Sequence, residues 1–374
     1  MAGETVAARM KSAGYTAGFD YLRIGLAFAV VAWHSVVASG SVQARAIALG
    51  PVLGPIQALI LPMFFALSGF LVASSIERSK TVAGFVTLRV LRIMPALAVE
   101  VLLSALILGP AVTTLRIGDY VSSHAFHIYF LNMIGSIHFK LPGVFEHNPG
   151  FQRGVVNLSL WTVPFELECY LVLVAAMLIG LLRQPKTMAT LVAAALVVWW
   201  LALLWKNGID YHGKLDGHVL VLGFLVGNLG YLFRDKLVLS GWFAIAAFVA
   251  SFALLSYSPL RPLCVIPATY LTIWLGLQTP RKIMGGDYSY GVYLFAFPLQ
   301  QVFAMFPAVA SWWAIFLLTI PLSLMYAAFS WHCVEKPILS RKRAIVDFVE
   351  VSATTLQSYI GTKIKALRVK SADA

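Results

Sequence analysis

Arg23-Ile-Gly-Leu-Ala-Phe-Ala-Val-Val-Ala-Trp-His34 opens the first long apolar stretch of this chain and holds no other ionisable group between its ends. At about 100° per residue, the eleven steps from Arg23 to His34 return almost to the starting angle, so the two side chains share one helix face. A rise of about 1.5 Å per residue sets the imidazole roughly 16 Å beyond the arginine, near the centre of a bilayer. An ionisable group at that depth is costly without partners, which makes His34 a candidate functional residue. The competing reading is a neutral histidine donating to a carbonyl of a neighbouring helix.

Stretches of this kind recur along the chain. With 60% hydrophobic and 12% charged residues and a mean hydropathy of +0.82, the composition excludes an ordinary soluble domain. Apolar blocks of spanning length centre near residues 31, 63, 98, 170, 196, 224, 249, 270, 297 and 322. They predict an all-α, polytopic transmembrane helical bundle of about ten spans. The blocks at 216–233 and 241–256 are the weakest, being short or glycine-bearing. The polar run Met1–Thr16 precedes an apolar block long enough to remain as a span, so no cleaved signal is expected.

Basic residues orient the bundle. With both termini cytoplasmic, 21 of the 28 Lys and Arg fall inside, as the positive-inside rule requires. The net charge of +12 is then an orientation signal, and no nucleic-acid partner is implied. Cys169, Cys264 and Cys333 lie in or at spans without paired spacing, so neither a disulfide framework nor a metal site is expected.

The chain divides into a membrane domain over 1–343 and a basic, amphipathic tail over 344–374, cytoplasmic in this orientation. The tail either lies on the anionic inner leaflet or is solvated. The longest connection, about Pro110 to Leu158, falls outside and carries His124, His127, His138 and His147. That composition fits a partly ordered loop near a polar substrate; no carboxylate completes a metal set. No internal repeat is visible, which weighs against a transporter built from inverted halves.

Four further groups are polar where their surroundings are not. Ser68-Gly69, in the second span, is small enough to admit a ligand chain or to pack two helices closely. Arg89 and Arg92 share a face at the cytoplasmic end of the third span, suited to multidentate phosphate binding or to plain anchoring. Pro95 should loosen the helix just beyond them. Entering the fourth span from outside, Trp161 should mark the interface. Glu166 and Tyr170 are i, i+4 neighbours deeper in, with Glu168 on another face. Two carboxylates inside an apolar block resist a packing explanation, so at least one should face a polar cavity. Finally, Ser330-Trp331-His332-Cys333-Val334-Glu335-Lys336-Pro337 closes the tenth span, and Gly286-Asp287-Tyr288-Ser289-Tyr290 opens the ninth from the same side.

Together these segments resemble the membrane acyltransferase-3 family, bacterial multi-span enzymes that acylate envelope glycans and related acceptors. The Arg-x10-His of its first span matches Arg23 and His34, and Phe-Phe-x-x-Ser-Gly-Phe matches Phe64, Phe65, Ser68, Gly69 and Phe70. Arg-x-x-Arg matches Arg89 and Arg92, and the Trp…Glu-x-x-x-Tyr pattern matches Trp161, Glu166 and Tyr170. The Ser-Tyr-x-x-Tyr-Leu and Glu-Lys-Pro elements match Ser289, Tyr290, Tyr293, Leu294, Glu335 and Pro337. The agreement runs in family order from residue 19 to about 341. Relatives often carry two adjacent glutamates in the fourth span; here Leu167 separates Glu166 from Glu168, so only Glu166 is carried over. Some relatives append an extracytoplasmic hydrolase-like domain. The short tail here cannot be one, so the chain is expected to act alone or to pass its acyl group to a separate partner.

The resemblance implies transfer of an acyl group, acetyl being the first expectation, from acyl-CoA to a hydroxyl of an extracytoplasmic or lipid-linked glycan. Acyl-CoA is a co-substrate, and no bound cofactor or metal is expected. His34 and Glu166 are the expected catalytic pair, with His34 as general base or acyl carrier. Arg23, Arg89, Arg92, Ser68 and Gly69 are expected at the donor, and Trp161, Tyr170, Tyr290 and Glu335 at the acceptor or in support. The other partners are membrane lipid; oligomeric state is not legible. The rival is a proton-coupled transporter with His34 and Glu166 as relay groups, and a third reading is a non-catalytic receptor.

Overall fold

Residues 4–14, 17–79, 81–208, 215–279 and 286–352 are described by the computed structural model of the chain. Ten long helices stand at the ten apolar blocks: α1 (Gly18–Ser39), α2 (Leu53–Arg78), α3 (Val82–Leu103), α4 (Val163–Leu178) and α5 (Pro185–Asn207), then α6 (Gly217–Leu232), α7 (Gly241–Ser256), α8 (Val265–Gly276), α9 (Ser289–Ala304) and α10 (Trp312–Ser330). Among the described residues, six stretches are long and apolar enough to cross a membrane: Gly18–Ser39, Leu53–Glu77, Val82–Val112, Leu158–Leu178, Pro185–Lys206 and Trp312–Ser340. Gly217–Leu232 and Gly241–Ser256 are apolar but shorter. The α8 block is short because a 3-10 turn over Ser258–Cys264, with Pro259 and Pro262 in it, takes up its first residues. Among the described residues the pairing of Thr5 with Val238 is an isolated antiparallel bridge, and the architecture is otherwise helical.

The pattern of exposure is that of a protein solvated by lipid. Trp205, Trp242, Leu171, Val198 and Met325 point outward, whereas Glu100, Asn132, Asn157, Asn228 and Gln300 are fully buried. Apolar surroundings offer no hydrogen bonds, so polar groups turn inward to find partners. The chain is therefore a multi-pass helical membrane protein.

Its tightest seam is between α2 and α6. A Cβ built on Gly69 would stand 1.9 Å from the Phe224 carbonyl oxygen, and one on Gly227 would stand 2.2 Å from that of Ala66. Glycine at both positions lets the two backbones touch. Pro95 leaves α3 unbroken from Val82 to Leu103, and the helix loosens further on, in a π-turn over Ser104–Leu108.

Both ends of the described chain lie on one side of the bundle. A helix over Val6–Ala13 is stitched to the α6–α7 connection by Val6 N–H to Leu237 O and by Leu239 N–H to Glu4 O, both 2.8 Å. Arg9 Nε donates to Leu277 O at the end of α8. At the other end of the chain, residues 342–352 form a helix. Met10 and Val346 border the mouth of one cavity.

The long connection on the opposite side is packed into the bundle rather than draped over it. Asn148 donates to Gln301 O and Oε1 (2.8 and 3.0 Å), and Gln301 Nε2 donates to Gln152 O and Val155 O (3.0 and 2.7 Å). At the end of the connection, Asn157 donates to Glu100 Oε1 in α3 and to Leu294 O in α9 (2.8 and 2.6 Å). These bonds draw the start of α4 deep into the protein.

Candidate active site

Arg89 and Arg92 project from one face of α3 into a cavity of about 1180 Å³ that opens on the side of the two chain ends. Arg92 is held twice. Its Nη2 contacts Asp287 Oδ2, and its Nη1 lies 3.4 Å from Glu335 Oε2. Arg23 Nη1 reaches the same Asp287 oxygen at 2.7 Å, so this carboxylate bridges α1 and α3 just before α9 begins. Its other oxygen accepts from Ser289 Oγ and N–H (2.5 and 3.3 Å), as a capping aspartate does at a helix start. Burial alone pushes the Asp287 carboxyl up, but the Arg92 and Arg23 guanidiniums and the Ser289 hydrogen bonds outweigh it and hold the group well below the usual carboxylate range.

Glu335 reaches Arg92 because α10 continues into a π-turn over Trp331–Glu335. The wider turn rotates the carboxylate inward, where it is 1% exposed and accepts from Ser330 Oγ at 3.0 Å. Such local π-turns are frequent at functional sites.

Arg89 is placed differently. Its Nη2 donates to Ser75 Oγ at 3.1 Å, and its guanidinium carbon lies 5.8 and 6.0 Å from the ring centroids of Phe85 and Tyr170. Aromatic faces rather than a carboxylate surround this cation. Beyond it, Tyr170 OH donates to Glu166 Oε1 at 2.8 Å across one turn of α4. Tyr290 adds a buried hydroxyl that has no hydrogen-bond partner among the described residues. Tyr293, one turn along α9, shares a hydrogen bond of 2.7 Å with Thr162.

Of the residues expected from sequence, Arg23, Arg89, Arg92, Ser68, Glu166, Tyr170 and Tyr290 border this one cavity. Glu335 stands behind Arg92. Gly69 is elsewhere, closed against the α6 backbone at Phe224. Trp161 packs on Phe165 at 5.9 Å between ring centroids, four residues after the fully buried Asn157. It lies three residues into the apolar stretch Leu158–Leu178 and is partly buried. Glu168 turns outward toward His218, 3.9 Å away. His34 is buried and meets Phe297 edge-on at 5.1 Å. It is not one of the cavity walls; Phe297 follows Tyr293, which is a wall, by one turn of α9.

Two acidic residues are central here and were not singled out as site residues from the sequence. Asp287 joins the two arginines, and Glu100 accepts from both Ser104 Oγ and Asn157 Nδ2 at 2.8 Å. Its other oxygen has no partner among the described residues. A lone carboxylate inside an apolar block was the available sign for Glu100, the same sign that exposed Glu166.

Residues 16–331 match the profile of a family described as an acyltransferase domain. The chain belongs to this acyltransferase family. Among its relatives is an "O-acetyl transferase" of Shigella phage Sf6, 25% identical over 336 residues that cover 86% of this chain and 96% of the relative. Another is "Nodulation protein 10" of Rhizobium leguminosarum bv. viciae, 27% identical over 312 residues, 76% of this chain and 83% of the relative. No solved structure matches the acyltransferase. The protein is thus a multi-pass membrane O-acyltransferase, and its site has a donor and an acceptor to serve.

Proposed function

We propose that this acyltransferase sits in a bacterial inner membrane with ten crossings and both termini cytoplasmic. There it moves an acyl group, acetyl in the simplest case, from cytoplasmic acyl-CoA to a hydroxyl of an extracytoplasmic or lipid-linked glycan. The observation that carries this reading is one cavity of about 1180 Å³ whose wall holds Arg23, Arg89 and Arg92 together with a carboxylate–phenol pair, Glu166 and Tyr170. Arg89, matched by no carboxylate in direct contact among the described residues, is suited to a phosphate of the donor. Arg23 and Arg92, tied to Asp287, shape the mouth. The relative named for O-acetyl transfer supports the reaction class.

In this mechanism the pantetheine arm runs along α1 from Arg23 toward His34, about 16 Å by helical rise. Phe297, which packs edge-on against His34 one turn after the cavity-lining Tyr293, swings aside to let the thioester pass. His34 takes the proton from the acceptor hydroxyl, whose oxygen attacks the thioester carbonyl. The new ester C–O bond forms, the C–S bond breaks, and the proton passes to the departing thiolate sulfur of CoA. Glu166 orients the acceptor together with Tyr170, whose hydroxyl donates to it.

The test is acyl-CoA-dependent modification of an envelope glycan, read as a mass increase that names the acyl group. His34→Ala is expected to lower kcat by about 10²–10⁴-fold, the usual worth of a positioned base. Arg89→Ala should raise the KM for acyl-CoA. Full activity in well-folded His34→Ala ends the catalytic assignment. Proton-driven uptake of a solute with no acylated product would replace the whole reading with a transporter.

A further inference from the structure

The chain after α10 continues the cavity wall. Leu339, Lys342, Arg343, Val346, Asp347 and Glu350 all border the cavity. Their spacing, i, i+3, i+4, i+7, i+8 and i+11, is one continuous helix face. The face is pinned at its far end, where Thr81 Oγ1 donates to Glu350 Oε1 at 2.5 Å. Thr81 is itself the cap of α3, accepting from Gly84 N–H at 2.9 Å. The approach at Gly84 is close: a Cβ on it would stand 2.6 Å from Glu350 Oε1 and 3.2 Å from Val346 Cγ1. The helix 342–352 is therefore docked on the start of α3, the element that carries Arg89 and Arg92.

Charge accounting at this mouth is decisive. Arg23 and Arg92 are already neutralised by Asp287 and Glu335. Lys342 and Arg343 form no ion pair among the described residues and are exposed at the outer rim. Asp347, one turn on, and Glu350, spent on Thr81, lie farther along the same helix. The free cations are thus ordered by depth: Arg89 within, Lys342 and Arg343 at the rim.

Resting on the acyl-CoA reading above, we propose that Lys342 and Arg343 form a second anion subsite, one that binds the 3′-phosphate of the donor's adenosine. A donor whose thioester enters first leaves its nucleotide end outermost, and the 3′-phosphate is the charge farthest from the thioester. Arg89 takes the inner pyrophosphate, and the rim pair takes the terminal phosphomonoester. The segment after α10 is then part of the donor site, and acyl carriers lacking a 3′-phosphate bind poorly.

Equilibrium binding of CoA and of 3′-dephospho-CoA to the full-length protein in nanodiscs tests this. The wild-type protein should bind CoA about tenfold more tightly than 3′-dephospho-CoA, as expected for one well-made charge-assisted contact. Lys342→Ala/Arg343→Ala should bind both with the weaker affinity, while Lys342→Arg/Arg343→Lys keeps the preference. Lys342→Gln and Arg343→Gln, tested singly, should each lose part of it. Equal wild-type affinity for the two ligands, or equal loss of both in the rim variants, overturns the subsite and leaves the acyl-CoA reading intact. Binding of neither ligand overturns both.

Discussion

Asp287 is the residue on which the open end of the site depends. One carboxylate bridges two guanidiniums, and removing it leaves Arg23 without this partner and Arg92 with Glu335 alone. Asp287→Ala is expected to destabilise the protein by about 3–5 kcal/mol, the usual cost of stranding a buried charge, read as a fall in melting temperature. The same group sets a pH dependence. Its folded-state pKa lies below its unfolded value, so its contribution is complete above the unfolded value, roughly pH 4, and is lost as pH falls toward the folded one. Wild type should therefore lose stability in acid more steeply than Asp287→Asn, in paired melting curves. Glu166 and Tyr170 make a gentler pair: Tyr170→Phe removes one hydrogen bond of 2.8 Å and should fold normally while slowing turnover. Glu166→Gln in the same assay separates a need for charge from a need for a hydrogen-bond acceptor. The motif reading reached Glu166 together with Tyr170, one turn away, but Arg92 without Asp287 and Glu335, which lie far away in the chain; distance in sequence hides such pairs.

At the scale of elements, two irregularities position the chemistry. The π-turn over Trp331–Glu335 brings Glu335 to Arg92, and the π-turn over Ser104–Leu108 follows the buried Glu100. An apolar block with Glu-Lys-Pro at its end is readable as a span terminus, but the extra residue in a turn leaves no mark in periodicity. The α2–α6 crossing is the opposite case. Ser68-Gly69 invites either a ligand or a packing reading, and the Phe224 carbonyl against Gly69 selects packing for the glycine. Gly69→Ala should push the two helices apart at a cost of about 1–3 kcal/mol or more, seen as poor accumulation of folded protein. Ser68→Ala, at the cavity wall, should accumulate normally.

For the whole molecule, the ends of the chain and the cavity mouth share a side. Cysteines introduced at Ser12 and Arg341 should react with a membrane-impermeant thiol reagent from one side, and a cysteine at Tyr257, in the α7–α8 connection, from the other. Labelling of Ser12→Cys and Arg341→Cys from opposite sides would contradict the shared mouth. The tail division at residue 343 falls inside the helix 342–352, whose residues on both sides of that point border the cavity. Phe348 and Val351 of this helix are exposed, and residues 353–374 of the tail lie outside the described residues.

By itself the sequence determined the class and the cast. Apolar blocks of spanning length admit little besides helices in lipid, because only a helix satisfies its own backbone there, and polar residues inside those blocks stand out by their cost. Six motifs in register named part of the cavity wall, Arg23, Arg89, Arg92, Glu166 and Tyr170 among it. Only the tertiary structure decided who meets whom: that Asp287 joins Arg23 to Arg92, that Asn157 draws the outer connection down to Glu100, and that His34 stands one turn of α9 beyond the cavity. Hydropathy reports how deep a residue sits and which face it takes on its own helix, whereas contact depends on how helices far apart in sequence rotate against one another. That rotation is set by packing details, a glycine against a carbonyl or one extra residue in a turn.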